Sequence, residues 1–381
     1  MSWEKAKISE ICGGIYDGPH ATPPVSEDGA IFLGISNITP DGHLDLSDPK
    51  YISESDLPKW TKRVTPQMGD IVFSYEATLN LYAIIPEGFR GCLGRRMALI
   101  RPDEEKVLGR YLYYYFFSDE WRATIAENTV VGATVDRIPL IRFPDFPVSF
   151  PSIEKQKAIA DMLSAYDNLI ENNQKQIKLL EEAAQRLYKE WFVDMRFPGY
   201  ENTPIVDGVP EGWTLTNINA VMTFHRGYDL TKNSMIPGKY PVVGSTSIIG
   251  YHNQYKTKGP GIVTGRSGSL GEYQLIWEDY WPHNTALYVS DMKGHHVLYL
   301  YSMLQTVDFS GLNNGGAIPT LNRNTLSNIA VIEATKALQD EYVRIVEPIY
   351  SSIRTAKKQI KYLQETRDRL LPKLMNGEIE V

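Results

Sequence analysis

A chain of 381 residues is too long for one ordinary domain, and 43% apolar with 22% charged residues is the composition of a globular protein. Its net charge of −7 argues against a chain that grips polyphosphate unaided, because nonspecific nucleic-acid affinity rests on Lys and Arg neutralising phosphates. Two cysteines, Cys12 and Cys92, lack Cys-x-x-Cys spacing and point to neither a disulfide framework nor a thiolate metal site, and no apolar run reaches membrane-span length.

Met1-Ser2-Trp3-Glu4-Lys5 has no basic-then-apolar leader pattern, so the expected compartment is the cytoplasm. Residues 1–151 alternate short β-type runs, such as Ala30–Ile35 and Asp70–Ser74, with Gly, Pro and Asp joints. The period turns helical over Leu108–Ala126, and strand character returns up to Pro151. There Ser152 reads as a helix N-cap with Glu154 near the positive end of the dipole. A long helix follows and stops near Phe197-Pro198-Gly199, where Pro breaks the ladder and Gly suits positive φ. A second globular stretch, 196–334, opens on Trp213–Ile218, which echoes Trp3–Ile8; Gly261-Ile262-Val263 likewise echoes Asp70-Ile71-Val72, and Gly316-Ala317 echoes Gly132-Ala133. The expected segments are therefore 1–151, 152–195, 196–334 and 335–381.

The two helical segments are copies. Gln176-Ile177-Lys178-Leu179-Leu180 recurs 183 residues later as Gln359-Ile360-Lys361-Tyr362-Leu363, and Thr335 takes the place of Ser152. Leu163, Ile170, Ile177, Leu180 and Leu187 in the first helix match Val346, Ile353, Ile360, Leu363 and Leu370 in the second. These are heptad a and d positions, so each helix carries a seam that must be buried. Burial of each Leu or Ile contributes about 1.5–3 kcal/mol, enough to hold a rigid spacer. Asn173 and Arg367 interrupt the seam and are expected to fix its register, and Pro348 to kink the second helix at a cost of about 3 kcal/mol. Antiparallel pairing of the helices would relate the halves by an approximate two-fold axis. A spacer of roughly 35 residues would then run about 50 Å, to be compared with about 34–36 Å per turn of duplex DNA.

Catalytic motifs are missing from this frame. An adenine methyltransferase needs an Asn/Asp-Pro-Pro-Tyr/Phe loop that holds the flipped base, whereas Pro23-Pro24 lies in Ala21-Thr22-Pro23-Pro24-Val25. Pro102-Asp103-Glu104-Glu105-Lys106 reads as a charged turn instead of a nuclease motif, and Pro260 occupies the place of the first Gly that a phosphate loop ending at Gly265-Arg266-Ser267 would need. No His-Glu-x-x-His helix exists, and the adjacent pair His295-His296 is read as surface.

The domain–helix–domain–helix order resembles the specificity (S) subunit of Type I restriction-modification systems. The resemblance spans the chain and is carried by Pro151-Ser152-Ile153-Glu154-Lys155-Gln156, by the ending Arg369–Ile379, and by Gly238–Ser245 with Gly261–Gly268. It implies an α+β fold: two mixed α/β target-recognition domains separated by an antiparallel two-helix coiled coil. It also implies double-stranded DNA as ligand, modification (methyltransferase) and restriction/translocase subunits as partners, no cofactor in this chain, and S-adenosylmethionine, ATP and magnesium confined to partner chains.

Candidate base readers follow from major-groove chemistry, in which Arg suits guanine, Asn or Gln adenine, and Ser or Thr several edges. In the second domain they are Arg226, Tyr228, Ser245, Thr246, Arg266, Ser267 and Asn284, most of them in Gly-rich turns, with a solvated loop cation an open alternative for Arg226, loop bracing for Arg266 and plain turn-making for Ser245, Thr246 and Asn284. In the first they are Tyr16, His20, Ser36, Asn37, Tyr75, Arg95 and Arg96, with packing an open alternative for the tyrosines and phosphate contact for the arginines. Acidity and the seam also suit a coiled-coil scaffold without nucleic acid, and the aromatics a glycan binder.

Overall fold

The computed structural model of the chain describes residues 3–132, 134–265, 271–307 and 329–381. Two compact units divide it: Met1–Asn172 with Gln359–Val381, and Asn173–Lys358.

The described residues of the first unit contain nine strands: β1 (Glu4–Lys7), β2 (Cys12–Asp17), β3 (Ala30–Leu33), β4 (Lys50–Ile52), β5 (Ile71–Ser74), β6 (Tyr82–Ile84), β7 (Gly91–Leu93), β8 (Met97–Pro102) and β9 (Pro147–Phe150). They form an antiparallel four-stranded sheet in the order β2-β8-β5-β6, a three-stranded sheet β4-β3-β7 in which β3 and β7 run parallel, and a ribbon of β1 with β9. All four residues of β5 are buried, which is why that strand reads as a continuous apolar run and not as an alternating one. The helices are α1 (Leu57–Trp60), α2 (Gly109–Tyr115) and α3 (Asp119–Asn128). Ser118 caps α3 by accepting from the Trp121 amide at 3.2 Å, with Asp119 and Glu120 in the first turn. Phe73, Tyr82, Phe116, Trp121, Phe143 and Phe146 make an aromatic core, in which the Trp121 indole donates to the Tyr82 hydroxyl at 2.8 Å.

The second unit repeats the plan. Besides a short hairpin of β10 (Ile205–Val206) and β11 (Val209–Pro210), it holds β12 (Thr214–Asn217), β13 (Thr223–Arg226), β14 (Tyr240–Val243), β15 (Ile248–His252), β16 (Gly261–Gly265), β17 (Tyr273–Ile276), β18 (Trp281–Pro282), β19 (Ala286–Asp291) and β20 (Ala330–Glu333). The four-stranded order is β13-β19-β16-β17, the three-stranded order is β15-β14-β18 with β14 and β18 parallel, and β12 pairs with β20. Each strand of the first unit's sheets thus has a counterpart with the same neighbours and the same direction.

The long helix α4 (Ile153–Tyr188) starts in the first unit and ends in the second; after the one-turn α5 (Ile218–Val221) and α6 (Val297–Leu304), α7 (Lys336–Met375) runs the other way through the same two units. α7 continues as helix through Pro348. In the first unit Leu163 and Ile170 of α4 are buried, and Leu163 joins Leu371, Leu374 and Met375 of α7 in the aromatic core's cluster. In the second unit Ile177 and Ala184 are buried with Val346 and Ile353, Tyr342 donates to the Ala184 carbonyl at 3.3 Å, and Glu181 pairs with Lys357 at 3.1 Å. Numbers that rise along α4 while they fall along α7 are the signature of antiparallel pairing. Leu180, Leu187, Ile360, Leu363 and Leu370 are half-buried seam positions.

One joint occurs twice at the 183-residue spacing. Buried Gln156 donates to the Pro151 carbonyl at 2.9 Å and accepts from the Leu108 amide at 2.8 Å, just ahead of α2. Buried Gln339 donates to the Ala334 carbonyl at 2.8 Å, and its amide oxygen meets His295 Nδ1 at 2.8 Å. The amide oxygen can only accept, so Nδ1 carries the proton, and Nε2 of the same ring lies 3.4 Å from Glu333. The surface reading of His295 is therefore corrected: its side chain is 8% exposed because it bridges α7 to the strand before it. His296 is half-buried and accepts from the Leu298 amide at 3.3 Å, capping α6. Burial pushes the Cys12 thiol up to about 12 and that of Cys92 to about 11, consistent with unreactive packing thiols.

Candidate nucleic-acid interface

In the first unit the ends of β2, β3 and β5 are tied to the turn between β7 and β8. Gly18 donates to the Met97 carbonyl at 2.9 Å, Gly94 to Leu33 at 2.7 Å, and Tyr75 to Arg96 at 3.1 Å. A side chain at Gly18 would place its Cβ 2.6 Å from the Met97 carbonyl, so the turn admits only glycine there. In the second unit Gly227 donates to Ala286 at 3.0 Å and His283 to Val243 at 2.8 Å, and a Cβ at Gly227 would collide with the His283 carbonyl. The bonds superpose position by position. Gly18 corresponds to Gly227, Gly94 to His283 and Leu33 to Val243, which makes Arg95 the counterpart of Asn284 and Ser36 that of Thr246.

The sequence-derived candidates among the described residues therefore cluster at one end of each sheet pair. In the second unit Arg226 ends β13, exposed, with its guanidinium 3.8 Å from Asp229, and Asn284 is hydrogen-bonded to the same carboxylate. Tyr228 is half-buried, its hydroxyl 3.1 Å from that of Tyr288, with the Lys256 ammonium 5.5 Å over its ring. Burial, helped by the Tyr228 hydroxyl, raises the Tyr288 phenol well above its usual range. Ser245 donates to the Thr285 carbonyl at 2.8 Å, whereas Thr246 is exposed. β16 ends at Gly265, opposite Ala286; Arg266 and Ser267 lie outside the described residues.

In the first unit Arg95, Ser36 and His20 are exposed at this end. Arg96 has φ 70° and its Nε lies 3.1 Å from Glu76, so it braces the turn. Asn37 is spent internally, accepting from the Gly34 amide at 2.9 Å and donating to the Asp45 carbonyl at 3.0 Å. Tyr16 is half-buried against the cluster of Leu33, Val72 and Leu99, with Arg101 5.7 Å over its ring. Tyr75 is buried with its hydroxyl 3.5 Å from His20 Nδ1; burial, then neighbouring Asp17, pushes its phenol up to about 12.

Several polar side chains beside the candidate His20 were not singled out by residue type. Asp17, Gly18, His20, Lys59, Trp60 and Arg63 line a cavity of about 380 Å³ beside the end of β2. His20 Nε2 stands 2.8 Å from Asp17 Oδ2, and Arg63 donates to the same oxygen at 3.2 Å. The signal was present in Lys59-Trp60-Thr61-Lys62-Arg63, basic residues interleaved with an aromatic within an acidic domain. Among the described residues no cluster of His, Cys, Asp or Glu is placed to hold a metal ion, and no helix is long and apolar enough to cross a membrane.

Residues 3–182 and 210–365 match the model of the Type I restriction modification DNA specificity domain. The chain belongs to that family. It is a DNA-recognition subunit of a Type I restriction-modification system and not a catalytic one. Among curated relatives, the MjaIX specificity subunit of Methanocaldococcus jannaschii is 26% identical over all of this chain and 94% of its own length. The HindI specificity subunit of Haemophilus influenzae is 24% identical over 88% of this chain and 91% of its own. The crystal structure of an S subunit from M. genitalium shares the fold at a TM-score of 0.59 and 18% identity, covering 98% of this chain and 96% of that one.

Proposed function

We propose that the chain reads a bipartite double-stranded DNA target, one half-site per target-recognition domain, and presents it to methyltransferase subunits and to restriction/translocase subunits in the cytoplasm. The observation that carries this reading is the repeated strand framework with unlike polar residues at its equivalent ends. A common backbone places an Arg and an Asn turn in one domain, and an acid with an Arg-Arg turn in the other. Two such surfaces suit two different short sequences. In this reading the domains are residues 1–151 and 196–334, and residues 152–195 and 335–381 set their spacing.

Arg226, Tyr228, Thr246 and Asn284, with Arg266 and Ser267, act in the second half-site; His20, Ser36 and Arg95 act in the first, where Tyr16, Asn37, Tyr75 and Arg96 shape the loops. The helices offer matched docking positions: Met162 and Leu179 of α4 are exposed apolar residues, and so are Ile345 and Tyr362 at the corresponding places in α7. Repeated patches fit two copies of one modification subunit. An isolated chain of net charge −7 is expected to bind DNA weakly, with affinity gained as partners close on the duplex. The scaffold reading without DNA has no support from a DNA specificity family.

Exchange of residues 196–334 for those of a relative, followed by mapping of methylated adenines, tests the assignment. One half of the target should change; change in both halves, or in neither, would contradict it.

A further inference from the structure

We propose that Arg63 is a base-reading residue of the first domain, held in position by Asp17 and equivalent in role to Arg226 of the second; this rests on the two-domain reading above. The strand-end position occupied by Arg226 on β13 is occupied on β2 by Asp17, since Gly227 and Gly18 make the corresponding backbone bond. A bare carboxylate at that place has the wrong sign for a polyanion. The structure supplies the cation from elsewhere in the chain: Arg63 Nη1 donates to Asp17 Oδ2 at 3.2 Å and to the Gly18 carbonyl at 2.9 Å.

An Arg–Asp pair therefore stands at both strand ends with the chain positions exchanged. In the second domain the strand carries the Arg and the following loop carries Asp229; in the first the strand carries the Asp and the segment after α1 carries the Arg. The exposure of the two guanidinium side chains is the same, 55% each. Among the described residues both hydrogen bonds of Arg63 use Nη1, which leaves the Nη2 and Nε donors as an edge. Two donors along one edge are what O6 and N7 of guanine accept, a geometry that Lys cannot reproduce. Lys59 and Lys62 line the same cavity and suit the flanking phosphates. Asp17 is thus a positioning residue that acts through Arg63, and the ligand chemistry assigned is a guanine in the half-site of the first domain.

The test uses the full chain assembled with its methyltransferase subunits and duplexes substituted one position at a time across both half-sites. Arg63→Ala should cost about tenfold to a hundredfold in affinity for the specific duplex and abolish discrimination at one guanine of one half-site, with the other half-site still read. Arg63→Lys, which keeps the charge and a half-exposed side chain, should lose the same discrimination, and Asp17→Asn should lose part of it. If Arg63→Ala weakens specific and nonspecific binding alike and lowers the salt slope by about one, Arg63 touches a phosphate and the assignment is overturned. Unchanged discrimination in Arg63→Ala overturns the assignment and leaves the two-domain reading intact. If the unsubstituted complex discriminates at no position, the two-domain reading itself falls.

Discussion

The two units carry one strand plan, yet their helix junctions are built from different chemistry. In the first, Asp167 of α4 and Arg367 of α7 form a 2.7 Å ion pair with side chains only 11% and 10% exposed, and the Tyr114 hydroxyl donates to the same carboxylate. At the positions 183 residues away, the second unit has Tyr350 and Ala184, and the buried polar contacts there are neutral: the Tyr342 hydroxyl lies 2.8 Å from the Ser302 hydroxyl and 3.3 Å from the Ala184 carbonyl. Apolar periodicity alone would let either helix pair with a copy of itself. A charged pair at one junction and a hydroxyl cluster at the other make the two ends unlike, so antiparallel pairing within the chain leaves no buried charge unmatched, and self-pairing would strand Asp167 against alanine or Arg367 against tyrosine. The same contrast holds at the ends of the sheets that carry the candidate residues, where backbone geometry is shared and side-chain chemistry is not.

That contrast can be broken from either side. Asp167→Ala leaves the Arg367 guanidinium half-neutralised in a buried site and should cost about 3 kcal/mol, read from urea unfolding of the full chain. Arg226→Ala should reduce affinity of the assembled complex by about tenfold or more at one half-site and leave discrimination at the other unchanged, in competition binding with substituted duplexes. Tyr342→Phe removes neutral hydrogen bonds only and should cost about 1 kcal/mol in the same unfolding assay. Lys357→Ala deletes an exposed partner of Glu181 and should shift stability by less than about 0.5 kcal/mol. A larger loss from Tyr342→Phe than from Asp167→Ala would remove the distinction between the two junctions.

The helices were legible because a heptad pattern is local, and duplication at a fixed spacing revealed it twice. Strand runs such as Asp70–Ser74 were legible for the same reason, but their partners were not: β2 pairs with β8 across some eighty intervening residues, a register no short pattern encodes. Among the candidates, residue type pointed to Arg95 and Asn284, whose equivalent placement emerges only from the backbone bonds, as does that of Arg226 and Asp17. The place of Arg63, the proposed reader, is not legible because a separate loop carries it to β2, and the bonds of Asn37 to Gly34 and Asp45 cannot be seen in the sequence either. His295 was misread because adjacency to His296 says nothing about burial, which the facing Gln339 decides.

The most direct test of two unlike readers on one repeated frame is a genome-wide map of modified adenines in the host. The account predicts a target of two unlike half-sites separated by a gap of fixed length and arbitrary sequence. A single uninterrupted target, or half-sites whose separation varies, would contradict it.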